Sequence, residues 1–366
     1  MKLECVKDKL KEAVSLAEKI TGKSQSLPVL QSILLTTEGK TLKVRATNLD
    51  IGVEFEIPAK IEKKGTISVP GQILSNTLLG LQDAKNISID LINNNLFLST
   101  EHTSTTIKSY PPDDFPTLPV VKEGEPIIIP AKRLTEGLKS VLFSASFSDI
   151  KPEIASVFIH SDGEYILFTA TDSFRLAEKK IQNKKTKDFP SIIIPLKNVI
   201  EIVRIIENTN EDITIHTNKN QLSMYYDGVY ITSRIINGIF PDYKQIIPKD
   251  HTTEIIVLKQ DLANTLKISN IFSDKFHKTN FIIHPKDKIF EINTQNADIG
   301  ENTTKIDASL SGDLLEIGFN NKYILDCLQF IKEDSIVMQF NGENKPMTIK
   351  GLGDNSFLYL VMPINK

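Results

Sequence analysis

Hydrophobic and polar positions follow a pattern along the chain that recurs three times. Each copy has an apolar strand, a short polar turn that contains Gly or Asp, and a second alternating strand that ends near a threonine. The copies are SILLTTEGKTLKVRATNLDIGVEFEI from Ser32, SVFIHSDGEYILFTATDSFRLAEKKI from Ser156 and NFIIHPKDKIFEINTQNADIGENTTKI from Asn280. Their threonines are 124 and 123 residues apart, at Thr47, Thr171 and Thr294. Because self-similarity at a fixed period marks repeated structural units, we expect three of them.

Two further landmarks have the same period. Pro70, Pro195 and Phe319 each precede a predicted helix, at separations of 125 and 124 residues. Phe115 in DDFPTLP and Phe240 in GIFPDYKQIIP are 125 residues apart. Three units of about 122 residues account for the 366 residues of the chain. We therefore predict domains at 1–121, 126–248 and 252–366, joined by short proline-bearing linkers.

Each unit is predicted to contain two halves of like design, each with a strand, a helix and a run of short strands. The predicted helices span 6–23, 71–85, 131–146, 196–209, 259–278 and 320–333. In the fourth, Val199, Ile202, Val203 and Ile206 follow the i, i+3, i+4, i+7 rule, which predicts one buried face. Helices separated by runs of short strands indicate the α+β class.

The composition is that of an ordinary soluble protein, with 40% hydrophobic and 24% charged residues. No apolar run approaches the ~18 residues that cross a bilayer. The opening MKLECVKDKLKEAVSL lacks the continuous apolar stretch of a signal peptide. Cys5 and Cys327 have no metal-ligand spacing, which is typical of a reducing compartment, and we interpret both as small core residues. We therefore expect a cytoplasmic protein with no membrane partner.

The formal net charge of −3 argues against a nucleic-acid binder of the usual basic kind. The charge is nevertheless unevenly distributed. The six predicted helices hold 17 basic and 11 acidic residues, a net of +6, which leaves −9 for the remainder of the chain. Positive helices on an acidic body attract phosphate where helices gather. The alternative, that these lysines lie on solvated helix faces, remains open.

The width of a helix limits what such a chain can enclose. Twelve helices about 10 Å wide, side by side in a circle, leave a hole of roughly 28 Å, whereas six leave only about 9 Å. A B-form duplex, whose grooves are ~7.5 to 8.5 Å deep, is roughly 20 Å across and fits the larger ring alone. A ring around DNA therefore needs two chains, with the first unit of one paired with the third unit of the other.

Motifs that read bases or carry out catalysis are missing from the sequence. It contains no G-x-x-x-x-G-K loop, H-E-x-x-H helix or G-x-S-x-G elbow, and its six histidines have no ligand spacing. Asp113 and Asp114 lie in PPDDFP, a composition typical of a turn. We expect no enzymatic activity, no cofactor and no metal. Two alternatives stay open: a monomeric peptide-binding repeat scaffold, and a hydrolase whose site is built from dispersed residues.

Five separated motifs, in order, resemble those of the bacterial β sliding clamp family, the β subunit of DNA polymerase III. They are SLPVLQSILL from Ser26, TATDSFRLA from Thr169, NGIFPDYKQIIP from Asn237, EIGFNNKYILDCL from Glu316 and the ending YLVMPINK. The resemblance implies three tandem clamp domains, each of two helices packed on antiparallel sheets, and a head-to-tail ring of two chains. It implies a processivity factor that encircles double-stranded DNA without sequence specificity. The implied partners are the DNA polymerase III catalytic subunit, the clamp loader, and other polymerases and repair proteins with short Gln and Leu/Phe motifs.

The same resemblance implies a groove for partner peptides between the second and third domains. Its apolar side chains would form an anchor pocket, and Arg175, Asn320 and Tyr323 would supply polar contacts. The matching positions are Ile154, Thr171, Phe174, Arg175, Leu176, Pro241, Ile246, Asn320, Tyr323, Pro346, Met362, Pro363 and Ile364. For Leu176, Ile246 and Met362, the alternative is an ordinary core position.

The chain departs from the family pattern beside this groove. Gly-His is frequent where Ser173 and Phe174 stand, and Arg is usual where Asn365 stands. Gln245 replaces a residue that is often basic. These departures are expected to alter the shape and charge of the groove, and with them the preference for partners.

Matching positions also indicate the other contacts. For the dimer they are Ile107 on an apolar edge strand, and Ile271 with Phe272 after a helix. An exposed apolar edge strand favours aggregation unless another chain covers it, which supports the assignment, although burial within each domain remains the alternative. For DNA, Lys23 and Lys151 match positions that face the hole.

Overall fold

The computed structural model describes residues 1–22, 27–81, 84–122, 125–183 and 189–364. These residues form six α-helices and 25 β-strands. The first third contains β1 (Lys2–Val6), α1 (Lys7–Ile20), β2 (Ser32–Glu38), β3 (Thr41–Thr47), β4 (Ile51–Lys63), β5 (Thr66–Pro70), α2 (Gly71–Gly80), β6 (Asn86–Ile92), β7 (Asn95–Ser99) and β8 (Ser104–Lys108). The second third contains β9 (Ile127–Pro130), α3 (Ala131–Leu142), β10 (Ser156–Asp162), β11 (Tyr165–Thr171), β12 (Arg175–Gln182), β13 (Ile192–Pro195), α4 (Leu196–Ile206), β14 (Asp212–Thr217), β15 (Gln221–Tyr226) and β16 (Val229–Arg234). The last third contains β17 (Thr253–Leu258), α5 (Lys259–Ile271), β18 (Lys278–His284), β19 (Ile289–Asn296), β20 (Gly300–Lys305), β21 (Ala308–Gly312), β22 (Leu315–Asn320), α6 (Asn321–Leu328), β23 (Ser335–Phe340), β24 (Met347–Gly351) and β25 (Phe357–Val361).

The order of elements repeats in the three thirds. Each third begins with one strand and a helix, continues with four strands and a second helix, and ends with three strands; the last third alone has an additional strand, β21. All strand pairs are antiparallel. The six helices and the two-halved design predicted from the sequence are therefore confirmed.

The predicted helices begin within one residue of the observed ones, but all six end earlier. Helix α5 ends at Ile271 instead of 278. Beyond it, one carboxylate oxygen of Asp274 accepts hydrogen bonds from the backbone N–H groups of Phe276 and Lys278. A short acidic side chain that binds nearby backbone in this way offers it an alternative to the helix, so the helix stops.

The chain divides into two compact units. The first comprises Met1–Thr135 and Lys197–Asn237, and its strands form one 12-stranded sheet. The second comprises Glu136–Leu196 and Gly238–Lys366, with a nine-stranded and a four-stranded sheet. The central repeat contributes strands to both units because β16 pairs with β4 and β12 pairs with β25.

One tight turn is built in the same way in two of the repeats. Thr47 Oγ1 accepts the N–H of Leu49 and donates to the carbonyl of Ile51, and Leu49 has a φ of 78°. Thr171 Oγ1 makes the equivalent bonds to Ser173 and Arg175, and Ser173 has a φ of 79°. The threonines that mark the repeat in the sequence thus mark a repeated turn.

The two cysteines are core residues, as predicted. Cys5 is buried beside the first sheet, and Cys327 has no exposed surface. Burial raises the pKa of Cys5 to about 12 and raises that of Cys327 as well. Both thiols therefore stay protonated at neutral pH, which makes them poor nucleophiles. No helix among the described residues has the length and apolar character needed to cross a membrane.

Candidate peptide-binding groove

All thirteen predicted groove residues lie in the second compact unit. They come from the loop before β10, the turn between β11 and β12, the segment before β17, the start of α6, the residue before β24 and the last residues described. Leu176 is fully buried, so its side chain belongs to the core, and Thr171 and Pro346 are buried too. The other members are at least partly accessible, apart from Arg175.

The ends of three adjacent strands form an apolar rim. Val361 at the end of β25 pairs with Arg175 of β12 on one side and with Met347 of β24 on the other. Next to these pairs, the N–H of Met362 donates to the carbonyl of Phe174 at 2.8 Å, and Pro346 directly precedes Met347. The side chain of Phe174 is 62% exposed. Phe174, Met362 and Pro346 are named here the rim.

Residues 362–364 join the rim to helix α6. The N–H of Ile364 donates to the carbonyl of Gly318 in β22 at 2.8 Å. Strand β22 continues directly into α6, where Asn320 accepts a hydrogen bond from the N–H of Tyr323 and caps the helix. The end of the chain, the rim and the start of α6 therefore form one continuous surface.

The turn between β11 and β12 holds Phe174 outward. One carboxylate oxygen of Asp172 accepts the N–H groups of both Phe174 and Arg175, and Thr171 Oγ1 donates to the carbonyl of Arg175 at 2.7 Å. Ser173, at the apex, has a φ of 79°. Residues other than glycine rarely adopt this left-handed conformation, because Cβ approaches the following carbonyl oxygen.

Replacing Ser173 with glycine is therefore expected to raise the free energy of unfolding by about 0.5 to 1 kcal/mol. The left-handed conformation costs about 1 to 2 kcal/mol for an L-residue, and the extra freedom of glycine in the unfolded chain takes back roughly half of that. Urea denaturation measures the change. Ser148→Gly is the matched control, since Ser148 is exposed and does not have positive φ, and it should be destabilising. A loss of stability in both variants would contradict the assignment of strain to Ser173.

Arg175 is held by the chain itself. Its Nε donates to Asp172 at 2.9 Å and its Nη1 donates to Asp326 at 2.7 Å. Its guanidinium carbon lies 4.3 Å from the centroid of the Tyr323 ring. Burial opposes the charge of Arg175, but Tyr359 and the two carboxylates outweigh it and raise the pKa of the guanidinium. Arg175 is thus a permanently charged bridge inside the protein.

Tyr323 is half-buried near the start of α6. Burial and the nearby carboxylate of Asp172 raise its pKa, although Arg175 acts in the opposite direction. The hydroxyl is therefore protonated at neutral pH and can donate a hydrogen bond. The Nδ2 of Asn320, in contrast, donates to the carbonyl of Phe276 at 3.1 Å.

Pro241 and Ile246 belong to a segment attached to the same sheet. Both are exposed and flank Tyr243, whose hydroxyl donates to Glu178 of β12 at 2.6 Å. Burial and the Glu178 carboxylate raise the pKa of Tyr243. Phe240 stacks on Phe158 of β10 with ring centroids 4.8 Å apart. Ile246 is thereby presented at a fixed position.

Ile154 ends a short loop that also carries Lys151. The carbonyl of Ile154 accepts the N–H of Ser146, and the N–H of Ile154 donates to Lys151. Lys151 is exposed, as a phosphate contact requires, but Phe147 and Ile150 beside it are exposed as well. Lys23 lies outside the described residues, and so does Asn365.

Of the residues indicated for the dimer, Ile107 lies on a strand, Ile271 ends helix α5 and Phe272 follows it. Strand β8 is the edge of the 12-stranded sheet, but Ile107 is only 3% exposed, which corrects the expectation of an exposed apolar side chain there. Its side chain faces the core because neighbouring residues of a strand point to opposite faces. Ile271 is 64% exposed, and Phe272 is half-buried beside Gly300 at the start of β20, an edge of the four-stranded sheet.

Sequence reasoning missed the groups that support the groove. Asp172 and Asp326 hold Arg175, the hydroxyl of Tyr359 donates to the carbonyl of Tyr323 at 2.8 Å, and Phe276 lies exposed beside Asn320. Two of these had a signal in the sequence: Asp172 lies three positions before Arg175, and Asp326 follows Tyr323 by three positions on the predicted helix. Tyr359 and Phe276 are brought to the groove by tertiary contacts.

The fold and the groove define a protein of three tandem α+β repeats. Among the described residues, no group of three or more His, Cys, Asp and Glu side chains could hold a metal ion.

The chain matches family models over almost its whole length. Residues 1–119, 127–242 and 244–365 match the N-terminal, central and C-terminal domains of the DNA polymerase III beta subunit. A beta sliding clamp from Synechococcus elongatus is 26% identical over 371 residues, covering 100% of this chain and 99% of the relative. One from Staphylococcus aureus is 25% identical over 351 residues, covering 93% and 92%.

The fold of this chain is also similar to those of solved sliding clamp structures. The crystal structure of a DNA polymerase sliding clamp from Bacillus subtilis has a TM-score of 0.94 at 25% identity, covering 100% of this chain and 99% of that one. The DNA polymerase III beta subunit from Thermotoga maritima has a TM-score of 0.94 at 26% identity with the same coverage.

The chain belongs to the DNA polymerase III beta subunit family, and its function is that of a DNA sliding clamp. The resemblance stated from the five sequence motifs and the three tandem clamp domains are thereby confirmed.

Proposed function

We propose that two copies of this chain form a ring that encircles duplex DNA without sequence specificity, and that the groove tethers replication and repair proteins to it. The observation that supports the tethering role is the rim, in which an exposed aromatic ring and a partly exposed thioether stand side by side at the ends of paired strands. Apolar anchors on a rigid backbone, with a few polar groups beside them, are what a short peptide needs for binding.

The rim is suited to an apolar ligand side chain. Methionine adapts its shape to the group that it contacts, and Phe174 adds a flat ring where the family often has a polar residue. The hydroxyl of Tyr323 is the donor that would fix the orientation of the peptide. We therefore infer that partner peptides of this clamp carry Gln and Leu/Phe side chains, with apolar residues favoured opposite Phe174.

Ring closure is proposed to join β8 of one copy to β20 of the other. Because Ile107 points inward, the backbone of β8 and the outward side chains of Thr106 and Lys108 would meet the second copy. Strand β20 exposes Glu301, whose charge complements that of Lys108. The exposed Ile271 would be covered at this contact. Edge strands commonly become interfaces, since their unpaired backbone groups are ready to hydrogen-bond.

The helices supply the positive charge proposed to face DNA. As observed, the six helices carry 12 basic and seven acidic residues. Two copies would supply twelve helices, which is the number that leaves a hole of roughly 28 Å for the duplex. Phosphate contacts from Lys23, Lys151 and the helix lysines would be weak individually and salt-sensitive, as sliding requires.

The remaining proposals concern partners and setting. We propose the DNA polymerase III catalytic subunit, the clamp loader, and other polymerases and repair proteins as the partners that use the groove. The three domains are proposed at 1–121, 126–248 and 252–366. The chain is proposed to have no catalytic activity and to act in the cytoplasm.

The native mass of the protein and its retention on circular and linear DNA test whether two copies form a ring. The full chain should have a native mass of about twice 41.0 kDa by light scattering. After loading, it should remain on a closed circular plasmid through gel filtration and be lost once the plasmid is linearised. Ile271→Glu should give a monomer that is lost from both DNAs but still binds a partner peptide. Equal retention on circular and linear DNA would overturn the ring.

A further inference from the structure

Arg175 is the point at which two walls of the groove meet. Its Nε donates to Asp172 in the β11–β12 turn, and its Nη1 donates to Asp326 in α6, 151 residues further along the chain. Only 8% of its side chain is exposed. Both of these charged hydrogen bonds of Arg175 are made inside the chain.

Each carboxylate holds a second element besides the guanidinium. One oxygen of Asp172 accepts the backbone N–H groups of Phe174 and Arg175, so the carboxylate that fixes Arg175 also fixes the turn that displays Phe174. Asp326 lies three residues after Tyr323 on α6, and residues at this spacing share a helix face. Asp326 therefore holds Arg175 from the same side of the helix that presents the Tyr323 ring.

The ring of Tyr323 completes the arrangement. The guanidinium carbon lies 4.3 Å from its centroid, within the range of a cation–π contact, and 5.7 Å from the centroid of Phe143. The backbone of Tyr323 is fixed separately, since its carbonyl accepts the hydroxyl of the buried Tyr359 and its N–H is capped by Asn320. Because the backbone of Tyr323 is fixed, the contact with its ring depends on where the Arg175 guanidinium lies. Asp326 holds that guanidinium from one side.

We propose that Asp326 is a positioning residue of the groove, which holds Arg175 against Tyr323 and so fixes the spacing between the rim and α6. This inference rests on the proposed role of the groove in binding peptides. It assigns a role to Asp326, which is not among the thirteen groove positions, and it makes Arg175 the link between the two walls of the groove.

Because Asp326 is partly exposed, its role in positioning Arg175 can be tested separately from its contribution to stability. The side chain of Asp326 is 44% exposed, so its ion pair with Arg175 is partly screened and contributes little to the overall stability. Asp172 remains to compensate the buried charge of Arg175 when Asp326 is neutralised. Loss of Asp326 should therefore change the geometry of the groove far more than the melting temperature.

The test compares Asp326→Asn with Asp326→Glu in the full chain. The probe is a fluorescein-labelled nonapeptide that contains one Gln followed by a Leu-Phe pair, and its dissociation constant is measured by fluorescence anisotropy. We expect Asp326→Asn to weaken binding about tenfold, a change of about 1.4 kcal/mol, and Asp326→Glu to stay within threefold of the wild type. Both variants should keep the melting temperature of the wild type.

Glu62→Gln is the matched control. Glu62 makes an exposed ion pair with Lys2 at 2.8 Å in the other compact unit, which holds none of the thirteen groove positions, so this variant loses a comparable interaction outside the groove. Its affinity should stay within twofold of the wild type. Equal weakening in Glu62→Gln and Asp326→Asn, or none in Asp326→Asn, would overturn the positioning role.

A crystal structure of peptide-free Asp326→Asn separates this inference from the proposed function. The guanidinium should leave the Tyr323 ring by more than the ~6 Å limit of a cation–π contact. An unmoved guanidinium overturns the positioning role whether or not peptide binds. If it moves but the wild type does not bind the nonapeptide, the positioning role stands and the peptide-binding groove is what fails.

Discussion

Replacing Met362 with alanine is expected to weaken the binding of a partner peptide about thirtyfold, or by about 2 kcal/mol. Met362 follows Val361, which pairs with β12 on one side and β24 on the other, and its N–H donates to the carbonyl of Phe174. This backbone hydrogen bond remains in the variant, so the rim keeps its backbone while it loses a side chain that would line the anchor pocket. Fluorescence anisotropy with the labelled nonapeptide measures the loss.

The stability of the Met362→Ala variant should hardly change, since the side chain is only partly buried. Leu352→Ala is the matched control, because Leu352 is a similarly sized, exposed residue of the same compact unit that lies outside the groove positions. Its affinity should equal that of the wild type. If Met362→Ala also binds the peptide with wild-type affinity, the assignment of the groove is wrong.

Replacing Gly312 with alanine is expected to lower the free energy of unfolding of the second compact unit by about 1.5 to 4 kcal/mol. A Cβ at this position would lie 1.9 Å from the carbonyl oxygen of Thr252, and Gly312 also has a φ of 95°. Strain in the left-handed region costs about 1 to 2 kcal/mol, of which the lost freedom of glycine in the unfolded chain offsets roughly half, and overpacking typically costs a further 1 to 3 kcal/mol. Backbone atoms cannot move aside as a flexible side chain can, so both penalties remain.

Gly353→Ala separates the two contributions. Gly353 has a φ of 84°, but a Cβ there would meet nothing within 4 Å. It should therefore lose only the conformational part, about 0.5 to 1 kcal/mol once the freedom of glycine in the unfolded chain is subtracted. Urea denaturation of both variants measures the difference. Equal losses would show that the close contact between the new Cβ at position 312 and the Thr252 carbonyl is relieved at little cost in stability, contrary to the expectation.

The repeat and the helices could be predicted from the sequence because they depend on local patterns. The spacing of Thr47 and Thr171 marks turns that are built identically, since the threonine hydroxyl binds backbone groups within four residues. Helix starts were predicted within one residue because prolines and apolar spacing signal them locally. Helix ends were less accurate, since side chains such as Asp274 compete for the backbone beyond the helix.

Part of the groove could also be predicted, and part could not. Matching positions predict Phe174 and Met362 for the groove, and the structure joins them by a backbone hydrogen bond. They could not show that Leu176 is fully buried or that Ile107 points inward, because a one-residue change in strand register reverses which side chains face the core.

The sequence by itself determined the threefold order of elements, the α+β class and the family, because apolar periodicity and short motifs are properties of neighbouring residues. Only the tertiary structure decided which segments pair. Strand β16 joins β4, so the central repeat contributes to two compact units. Asp326 binds Arg175, which lies 151 residues earlier in the chain. The local pattern of apolar residues indicates that an element has a buried face. The residues that this face contacts come from segments that are distant in sequence.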